Sequence, residues 1–167
     1  RDGGETFYPT QFEYAGGPIT VREFLRRGER TYAATSQGLA ASDDNGESWG
    51  FISDADGVLT VPVDVVSIVI SEQNTQQALI AISKGSSAAL YRTDNGFQNL
   101  EQIHFASDEL GVGAMILDRT TAYIGLTNGE VVVYDVGART FRARGGTGAG
   151  ILKLHRSFNG TLYALTA

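Results

Sequence analysis

Acidic side chains gather in two stretches that separate apolar runs of the sequence. Asp54, Asp56 and Asp64 lie in or beside the first stretch, and Asp108 and Glu109 lie in the second. A pair of carboxylates on either side of a glycosidic bond is the usual machinery for hydrolysing it. No spacing in the sequence pairs these residues with one another. The pattern therefore favours solvated loop acids over a catalytic pair.

Three further patterns resemble ligand sites, and each lacks residues that the chemistry requires. Residues 54–57 have the spacing of a calcium loop, but the first and twelfth positions of that loop would be apolar. The glycine-rich run 145–150 is not followed by the Lys-Ser/Thr pair of a phosphate loop. His104 and His155 have no ligand partner at a suitable spacing, and the chain contains no cysteine. We therefore predict no metal site, no cofactor and no catalytic residue.

The charge balance limits the classes of partner. The net charge is -6 and the isoelectric point is about 4.8, whereas nucleic acids and anionic membrane surfaces attract basic proteins. The apolar stretch 58–70 is too short to span a bilayer and is interrupted by Pro62 and Asp64. We expect no nucleic-acid binding and no membrane insertion. No leader segment is recognisable, and the length is that of a single domain, residues 1–167.

The elements that must position these residues are short strands. Runs of four to eight residues, rich in Val, Ile, Thr and Tyr, are bounded by Gly, Asn, Asp and Ser. No helical periodicity is sustained. The runs recur at a spacing of roughly 40–47 residues, which is typical of β-propeller blades. The predicted units span 20–53, 65–104, 112–144 and 151–167, the last of them incomplete.

This repeat predicts an all-β fold made of blades of four antiparallel strands. The sequence supplies about three and a half such blades, which is an incomplete ring, because closed propellers have at least four. Residues 6–14 could add an outer strand ahead of the first blade. An open array would expose sheet edges and an apolar blade face. We therefore expect a second chain or a missing segment to complete the propeller.

One turn in the first unit has a particularly regular pattern. Its defined positions are Ser42, Asp44, Gly46, Ser48 and Trp49. A short carboxylate can accept backbone N–H groups inside a hairpin turn, and glycine can take the left-handed conformation there. The indole ring can then pack into the blade.

This pattern resembles the Asp-box, or BNR repeat, and a weaker copy at blade spacing keeps Asp94 and Gly96. The resemblance implies blades like those of sialidases or photosystem assembly factors, and a location outside the cytoplasm. In the family the box is a structural turn at the blade periphery. The Arg-Ile-Pro or Arg-Leu-Pro segment of sialidases is absent. The resemblance therefore supports the fold more than it supports an enzyme.

The resemblance places ligands on the opposite rim, where the connections between blades meet the turns between the second and third strands. Such loops commonly carry binding residues. The residues predicted for this ligand rim are Gln37, Asp54, Asp56, Lys84, Asp108, Glu109 and Asn128.

The favoured function is a non-catalytic binding or assembly module with a protein or glycan partner. Two alternatives stay open. The chain could be part of a larger Asp-box glycoside hydrolase, sialidase-like or glucanase-like, whose catalytic residues lie elsewhere. It could also be half of a two-chain propeller that serves as a scaffold or sensor.

Overall fold

The computed structural model describes residues 11–12, 16–103 and 111–167, and each structural statement below concerns these residues. They form strands and turns, with no helix that could span a membrane. The strands are β1 Gln11–Phe12, β2 Val21–Arg27, β3 Arg30–Thr35, β4 Gly38–Ser42, β5 Ser48–Phe51, β6 Val65–Ile70, β7 Ala78–Lys84, β8 Ser87–Thr93, β9 Glu101–Ile103, β10 Val112–Asp118, β11 Thr121–Leu126, β12 Glu130–Asp135, β13 Thr140–Gly146, β14 Ile151–Arg156 and β15 Leu162–Thr166.

The strands form four sheets that follow one another along the chain. Strands β2 to β5, β6 to β9 and β10 to β13 each form a four-stranded antiparallel sheet, and β14 and β15 form a two-stranded one. The innermost strands, β2, β6, β10 and β14, lie side by side. The predicted all-β array of propeller blades is therefore confirmed. The first sheet has a fifth strand, because β1 pairs in parallel with the outer strand β5.

A bulge interrupts the pairing at the same place in every innermost strand. It separates Val21 from Glu23 in the first sheet, and its counterparts in the other sheets separate the equivalent pairs Val65/Ser67, Val112/Ala114 and Ile151/Lys153. A second repeated feature is a backbone bond that closes the top of each inner hairpin, such as Thr127 N to Gly111 O (2.9 Å) and Ala167 N to Gly150 O (2.9 Å). These features fix which residues of the four sheets are equivalent.

Two apolar clusters hold the first three sheets together. One lies between the first and second sheets and the other between the second and third. Strand β7 contributes to both, because Leu79 and Ala81 face one cluster while Ile80 and Ile82 face the other. A strand that is covered on both faces can be apolar throughout, which is the pattern of this segment.

The fourth sheet packs on the third through Ile151. A side chain at Gly113 would lie 1.8 Å from the carbonyl oxygen of Ile151, so glycine lets the two strands approach closely. The opposite side of this sheet is open, and Tyr163 and Leu165 are 55% and 59% exposed. The fourth sheet is therefore covered on one side only within the described part of the chain.

Candidate functional site

A cavity of about 590 Å³ lies among the four innermost strands. Its wall is made by β2, β6, β10 and β14, so residues from both ends of the chain contribute to it. Its polar side chains are Arg22, Glu23, Ser67, Lys153 and His155. The curvature of the array brings together residues that are more than a hundred positions apart in sequence.

Hydrogen bonds fix one side of the cavity. Glu23 Oε2 accepts from Ser67 Oγ (2.9 Å) and from the backbone N–H of Ile68 (3.1 Å). Arg22 donates through Nε and Nη2 to the two carboxylate oxygens of Asp64, each at 2.7 Å. Both interactions join the first sheet to the second. These side chains therefore stabilise the wall as well as line it.

Burial controls the charge on this wall. It raises the pKa of Glu23 above its ordinary value of 4.5, while the bonds from Ile68 and Ser67 and the positive charge of Lys153 oppose the rise. The carboxyl group of Glu23 thus lies in a partly desolvated position opposite a cation.

Two basic side chains, Lys153 and His155, lie on the other side of the cavity. Lys153 and His155 are exposed, and neither has a hydrogen bond or an ion pair with any other described residue. Apolar surface lines the same cavity, where Phe24 is 60% exposed and Leu152 is 53% exposed. This side therefore offers hydrogen-bond donors, positive charge and apolar contact to a ligand.

The first turn, residues 42–49, is a closed network of hydrogen bonds. Asp44 Oδ1 accepts from Ser42 Oγ (2.7 Å) and Ser48 N (2.9 Å), and Oδ2 accepts from Ser48 Oγ (2.5 Å). Ser42 Oγ accepts from Gly46 N (2.7 Å), and Gly46 has a φ of 93°. The bonds from Ser48 and Ser42 hold the pKa of Asp44 well below its ordinary value of 3.8. Both carboxylate oxygens of Asp44 are therefore engaged in shaping the turn.

The indole ring of Trp49 lies at the side of the first sheet and is only half-buried. Its Nε1 donates to Gly46 O (3.2 Å), and its ring centre is 5.7 Å from that of Phe24. The sequence predicted a ring packed inside the blade, and this expectation is wrong. Phe24 of the innermost strand lies against the indole ring and remains 60% exposed.

The second turn, residues 93–100, has the same network one residue later than the sequence predicts. Thr93 Oγ1 donates to Asn95 Oδ1 (3.0 Å) and accepts from Phe97 N (3.1 Å), and Asn99 N donates to Asn95 Oδ1 (3.0 Å). These bonds match those of Ser42, Asp44, Gly46 and Ser48 in the first turn. An asparagine therefore takes the place of the aspartate.

Asp94 and Gly96 are consequently not the box residues of the second turn, which corrects their assignment. Asp94 instead forms ion pairs with Arg92 and with Arg139, the latter at 3.6 Å, and Gly96 N donates to Gln76 O (2.9 Å). The left-handed pair of the turn is Gly96-Phe97 (φ 67° and 71°), where the first turn has Asn45-Gly46 (62° and 93°).

Two of the predicted rim acids hold a loop against the second turn. Asp54 accepts from the backbone N–H groups of Asp56 (3.0 Å), Val58 (3.1 Å) and Leu59 (2.6 Å). Asp56 accepts from Asn99 Nδ2 (3.3 Å) and Leu100 N (2.8 Å). Asp56 therefore lies beside the box-like turn, not on the opposite rim, because its loop folds across the second sheet.

Three other rim residues lie where predicted, in or at turns between the second and third strands, and none of them lines the cavity among the innermost strands. Gln37 O accepts from Val63 N (3.3 Å), and its buried side-chain oxygen has no partner in the described part of the chain. Lys84 is exposed, and Asn128 Nδ2 donates to Glu130 Oε2 (2.8 Å). Asp108 and Glu109 lie outside the described residues, as does His104.

The predicted ligand rim and the observed cavity share no described residue. Sequence reasoning missed Arg22, Glu23, Lys153 and His155. The available signal was the pair of charged residues, Glu23 and Lys153, at the position of β2 and β14 where the bulge recurs. No group of three or more side chains suited to a metal occurs among the described residues.

Comparison with known proteins shows the fold. No family model matches the chain, and no curated protein sequence matches it. YCF48 from Cyanidioschyzon merolae is 15% identical, with a TM-score of 0.63 over 89% of this chain and 48% of that one. The β-propeller domain of Cps50 (Swd1) from Myceliophteria thermophila is 11% identical, with a TM-score of 0.63 over 87% of this chain and 50% of that one.

An ancestral GH74 enzyme is 18% identical, with a TM-score of 0.58 over 88% of this chain and 21% of that one. The chain spans about half the length of the first two proteins and less of the third. Identities this low show similarity to β-propellers and nothing about activity. Membership of the Asp-box family stays a prediction.

Proposed function

We propose that the chain is a non-catalytic binding module built on propeller blades. Its cavity binds a segment of a protein partner that carries an acidic group beside an apolar one. One observation carries this proposal: Lys153 and His155 lie on the cavity wall without a hydrogen bond or ion pair to another described residue. A location outside the cytoplasm, implied by the resemblance to Asp-box proteins, belongs to the same proposal.

The state of the carboxylates supports binding over hydrolysis. Asp44 and Asp54 accept hydrogen bonds within their own loops. Asp56 accepts from Leu100 in the second turn, and Asp64 is paired with Arg22. Of the described residues, Glu23 is the one carboxylate that lines the cavity. Most glycoside hydrolases need two carboxylates across the bond that they cleave. The described part of the cavity wall supplies one such carboxylate, Glu23.

The chemistry of the wall defines the ligand. An ammonium group has three donors and no acceptor, so Lys153 suits a carboxylate, and His155 adds a donor beside it. Phe24 and Leu152 offer apolar surface to the neighbouring side chain of the ligand. Glu23 repels a second acidic group and so favours ligands with a single one.

The test is a fluorescence anisotropy titration with two labelled hexapeptides that differ only at one position, Asp or Lys, flanked by leucines. We expect the Asp peptide to bind at least about tenfold more tightly than the Lys peptide. This preference runs against the net charge of -6, so it requires a local cationic site. Lys153→Glu should abolish the preference.

Lys84→Glu is the matched control, because Lys84 and Lys153 are the two lysines of the chain and Lys84 is exposed away from the cavity. It changes the net charge equally and should leave the preference intact. Equal binding of both peptides, or equal loss in both variants, would contradict the proposed site. Turnover of sialosides or glucan oligosaccharides would contradict the non-catalytic assignment.

A further inference from the structure

Four Asn-Gly pairs lie in turns between consecutive strands, at residues 45–46, 95–96, 128–129 and 159–160. Each pair has the groups for one reaction. The glycine nitrogen loses its proton to hydroxide and attacks the carboxamide carbon of the asparagine, a C–N bond forms, and ammonia leaves with a proton from water. Water then opens the cyclic imide to aspartate or isoaspartate. Glycine allows the ring to close because it has no side chain to hinder the approach.

The attacking nitrogen is held in a similar way in all four turns. Gly46 N donates to Ser42 Oγ (2.7 Å), and Gly96, Gly129 and Gly160 donate to backbone carbonyl oxygens at 2.9, 3.0 and 2.9 Å. All four glycines have left-handed φ values, between 67° and 93°. The nitrogen of Gly46 is held at least as firmly as the others, so a difference in reactivity must come from the asparagine.

The carboxamide of Asn95 is fixed by the network of the second turn. Its Oδ1 accepts from Thr93 Oγ1 and from Asn99 N, each at 3.0 Å. Its Nδ2 donates to Asn99 Oδ1 (3.0 Å). These bonds must break before the carboxamide carbon can turn toward Gly96 N.

The carboxamides of Asn128 and Asn159 are fixed by the backbone two residues further on. Asn128 Oδ1 accepts from Glu130 N (3.0 Å), and its Nδ2 donates to Glu130 Oε2 (2.8 Å). Asn159 Oδ1 accepts from Thr161 N (3.1 Å). Such local bonds are common for asparagine in turns. They hold both side chains away from the following glycine nitrogen.

Asn45 differs from the other three asparagines. Its side chain is exposed, and no hydrogen bond joins it to a described residue. In the first turn Asp44 is the acceptor for Ser48 N (2.9 Å), the role that Asn95 has in the second turn. Asn45 therefore lies one residue beyond the network, with a φ of 62°.

We propose that Asn45 is a site of covalent modification, where the side chain loses ammonia and becomes aspartate or isoaspartate faster than in the other three pairs. The carboxamide of Asn45 can rotate toward Gly46 N without breaking a hydrogen bond of its own. In the other turns such bonds must break first, which raises the barrier. The site lies in the first turn, so its reaction does not depend on what the cavity binds.

The isoaspartate product changes the first turn more than the aspartate product does. In isoaspartate the main chain runs through the β-carbon, which adds one main-chain atom between Asp44 and Gly46. The bonds from Gly46 N to Ser42 Oγ (2.7 Å) and from Ser48 N to Asp44 Oδ1 (2.9 Å) both span residue 45. The modification should therefore open the first turn.

The test follows the four pairs in the folded chain during incubation at mildly alkaline pH, where hydroxide drives the reaction. Peptide mapping by mass spectrometry measures the fraction of each asparagine that has lost ammonia. Asn45 should convert at least about tenfold faster than Asn95, because the barrier at Asn95 includes the loss of its hydrogen bonds. Asn128 and Asn159 should also be slower than Asn45. Equal rates at Asn45 and Asn95, or faster conversion at any of the other three, overturn the proposal.

The same chain unfolded in urea is the matched control, because all four pairs then lack these bonds and should react at similar rates. If Asn45 kept its lead in urea, the lead would come from its sequence neighbours, and the proposal would be wrong. Asn99→Ala removes the partner of Asn95 Nδ2. This variant should speed conversion at Asn95 and leave the rate at Asn45 unchanged. No acceleration at Asn95 would contradict protection by its hydrogen bonds.

A second readout follows the first turn itself. Amide hydrogen exchange at Gly46 and Ser48 should be at least about tenfold faster in the isoaspartate fraction than in the unmodified chain. Asn45→Asp adds the charge without the extra main-chain atom and should change these rates less. Unchanged exchange in the isoaspartate fraction would overturn the expected opening of the turn.

Discussion

The two turns and the cavity use polar side chains in opposite ways. In the turns, side-chain oxygens accept hydrogen bonds from neighbouring backbone and side-chain donors, as at Ser42, Asp44, Thr93 and Asn95. In the cavity, Lys153 has no hydrogen bond or ion pair with a described residue. Polar side chains therefore have two roles in this molecule. A polar group that is fully bonded stabilises the fold, and one that is left unbonded at a concave surface is available to a ligand.

Substitutions in the turns and in the cavity should differ in their effects on stability and on ligand binding. Removing a bonded side chain leaves buried donors without acceptors, which costs stability. Removing an exposed cation costs little stability, commonly within about 0.5 kcal/mol. Substitutions in the turns should therefore lower the free energy of unfolding without changing ligand preference. Substitution of Lys153 in the cavity should change ligand preference and leave the free energy of unfolding nearly unchanged.

The largest effect is expected from the aromatic residues of the turns. Phe97 is 2% exposed and lies 5.7 Å from the ring of Tyr32 in the core between the first two sheets. Phe97→Ala should lower the free energy of unfolding by about 3–5 kcal/mol. Trp49→Ala should cost less, because the indole ring is only half-buried. Urea denaturation of both variants checks this order, and a larger cost at Trp49 would contradict the assigned packing.

A smaller loss is expected at the first position of the second turn. Thr93→Val preserves the shape of the side chain and leaves Phe97 N and Asn95 N without their acceptor. The variant should lose about 1–3 kcal/mol of unfolding free energy. Gln98→Ala is the control for the register, since the sequence pattern places Gln98, not Asn99, at the position of Ser48. Gln98→Ala should leave the free energy of unfolding nearly unchanged. A cost equal to that of Thr93→Val would support the register predicted from the sequence instead.

The carboxylate of the first turn should make stability depend on acid. The pKa of Asp44 is lowered in the folded chain, so its contribution is present above its ordinary value of 3.8 and is lost as the pH falls toward the lowered value. Asp44→Asn should be less stable than the unmodified chain at neutral pH. The gap should narrow as the pH falls below 3.8. Denaturation midpoints across this range give the comparison, and a constant gap would show that the charge of Asp44 is irrelevant.

The smallest effect should have the opposite sign with pH. The folded pKa of Glu23 is raised above 4.5, so the folded chain holds its proton longer and loses stability as the pH rises from 4.5 through the raised value. Glu23→Gln retains an acceptor for Ser67 and Ile68 and should gain stability relative to the unmodified chain over that interval. Urea titrations at a series of pH values test this. A relative loss over the same interval would mean that attraction to Lys153 outweighs burial.

Most of the fold could be predicted from the sequence because it depends on local patterns. Short apolar runs bounded by turn residues, repeated at blade spacing, predicted the all-β blade array that the structure confirms. An outer strand within residues 6–14 was foreseen and β1 lies there, but its parallel direction relative to β5 was not, because no local pattern specifies the direction in which an added strand pairs.

The candidate site was less predictable, since it depends on tertiary contacts. Lys153 and Glu23 come from opposite ends of the chain and meet only through the curvature of the array. The position of Asp56 depends on how its loop folds onto Leu100. The register of the second turn was missed for a chemical reason. Asn95 supplies the same oxygen acceptor as Asp44, and a pattern defined by aspartate does not include it.

The most direct test of the contrast between turns and cavity is an amide and side-chain chemical-shift map of the chain, titrated with the Asp hexapeptide. We expect shifts at Lys153, His155 and Phe24, with Asp44, Thr93 and Asn95 unchanged. Shifts centred on either turn, with the cavity residues unchanged, would contradict this expectation.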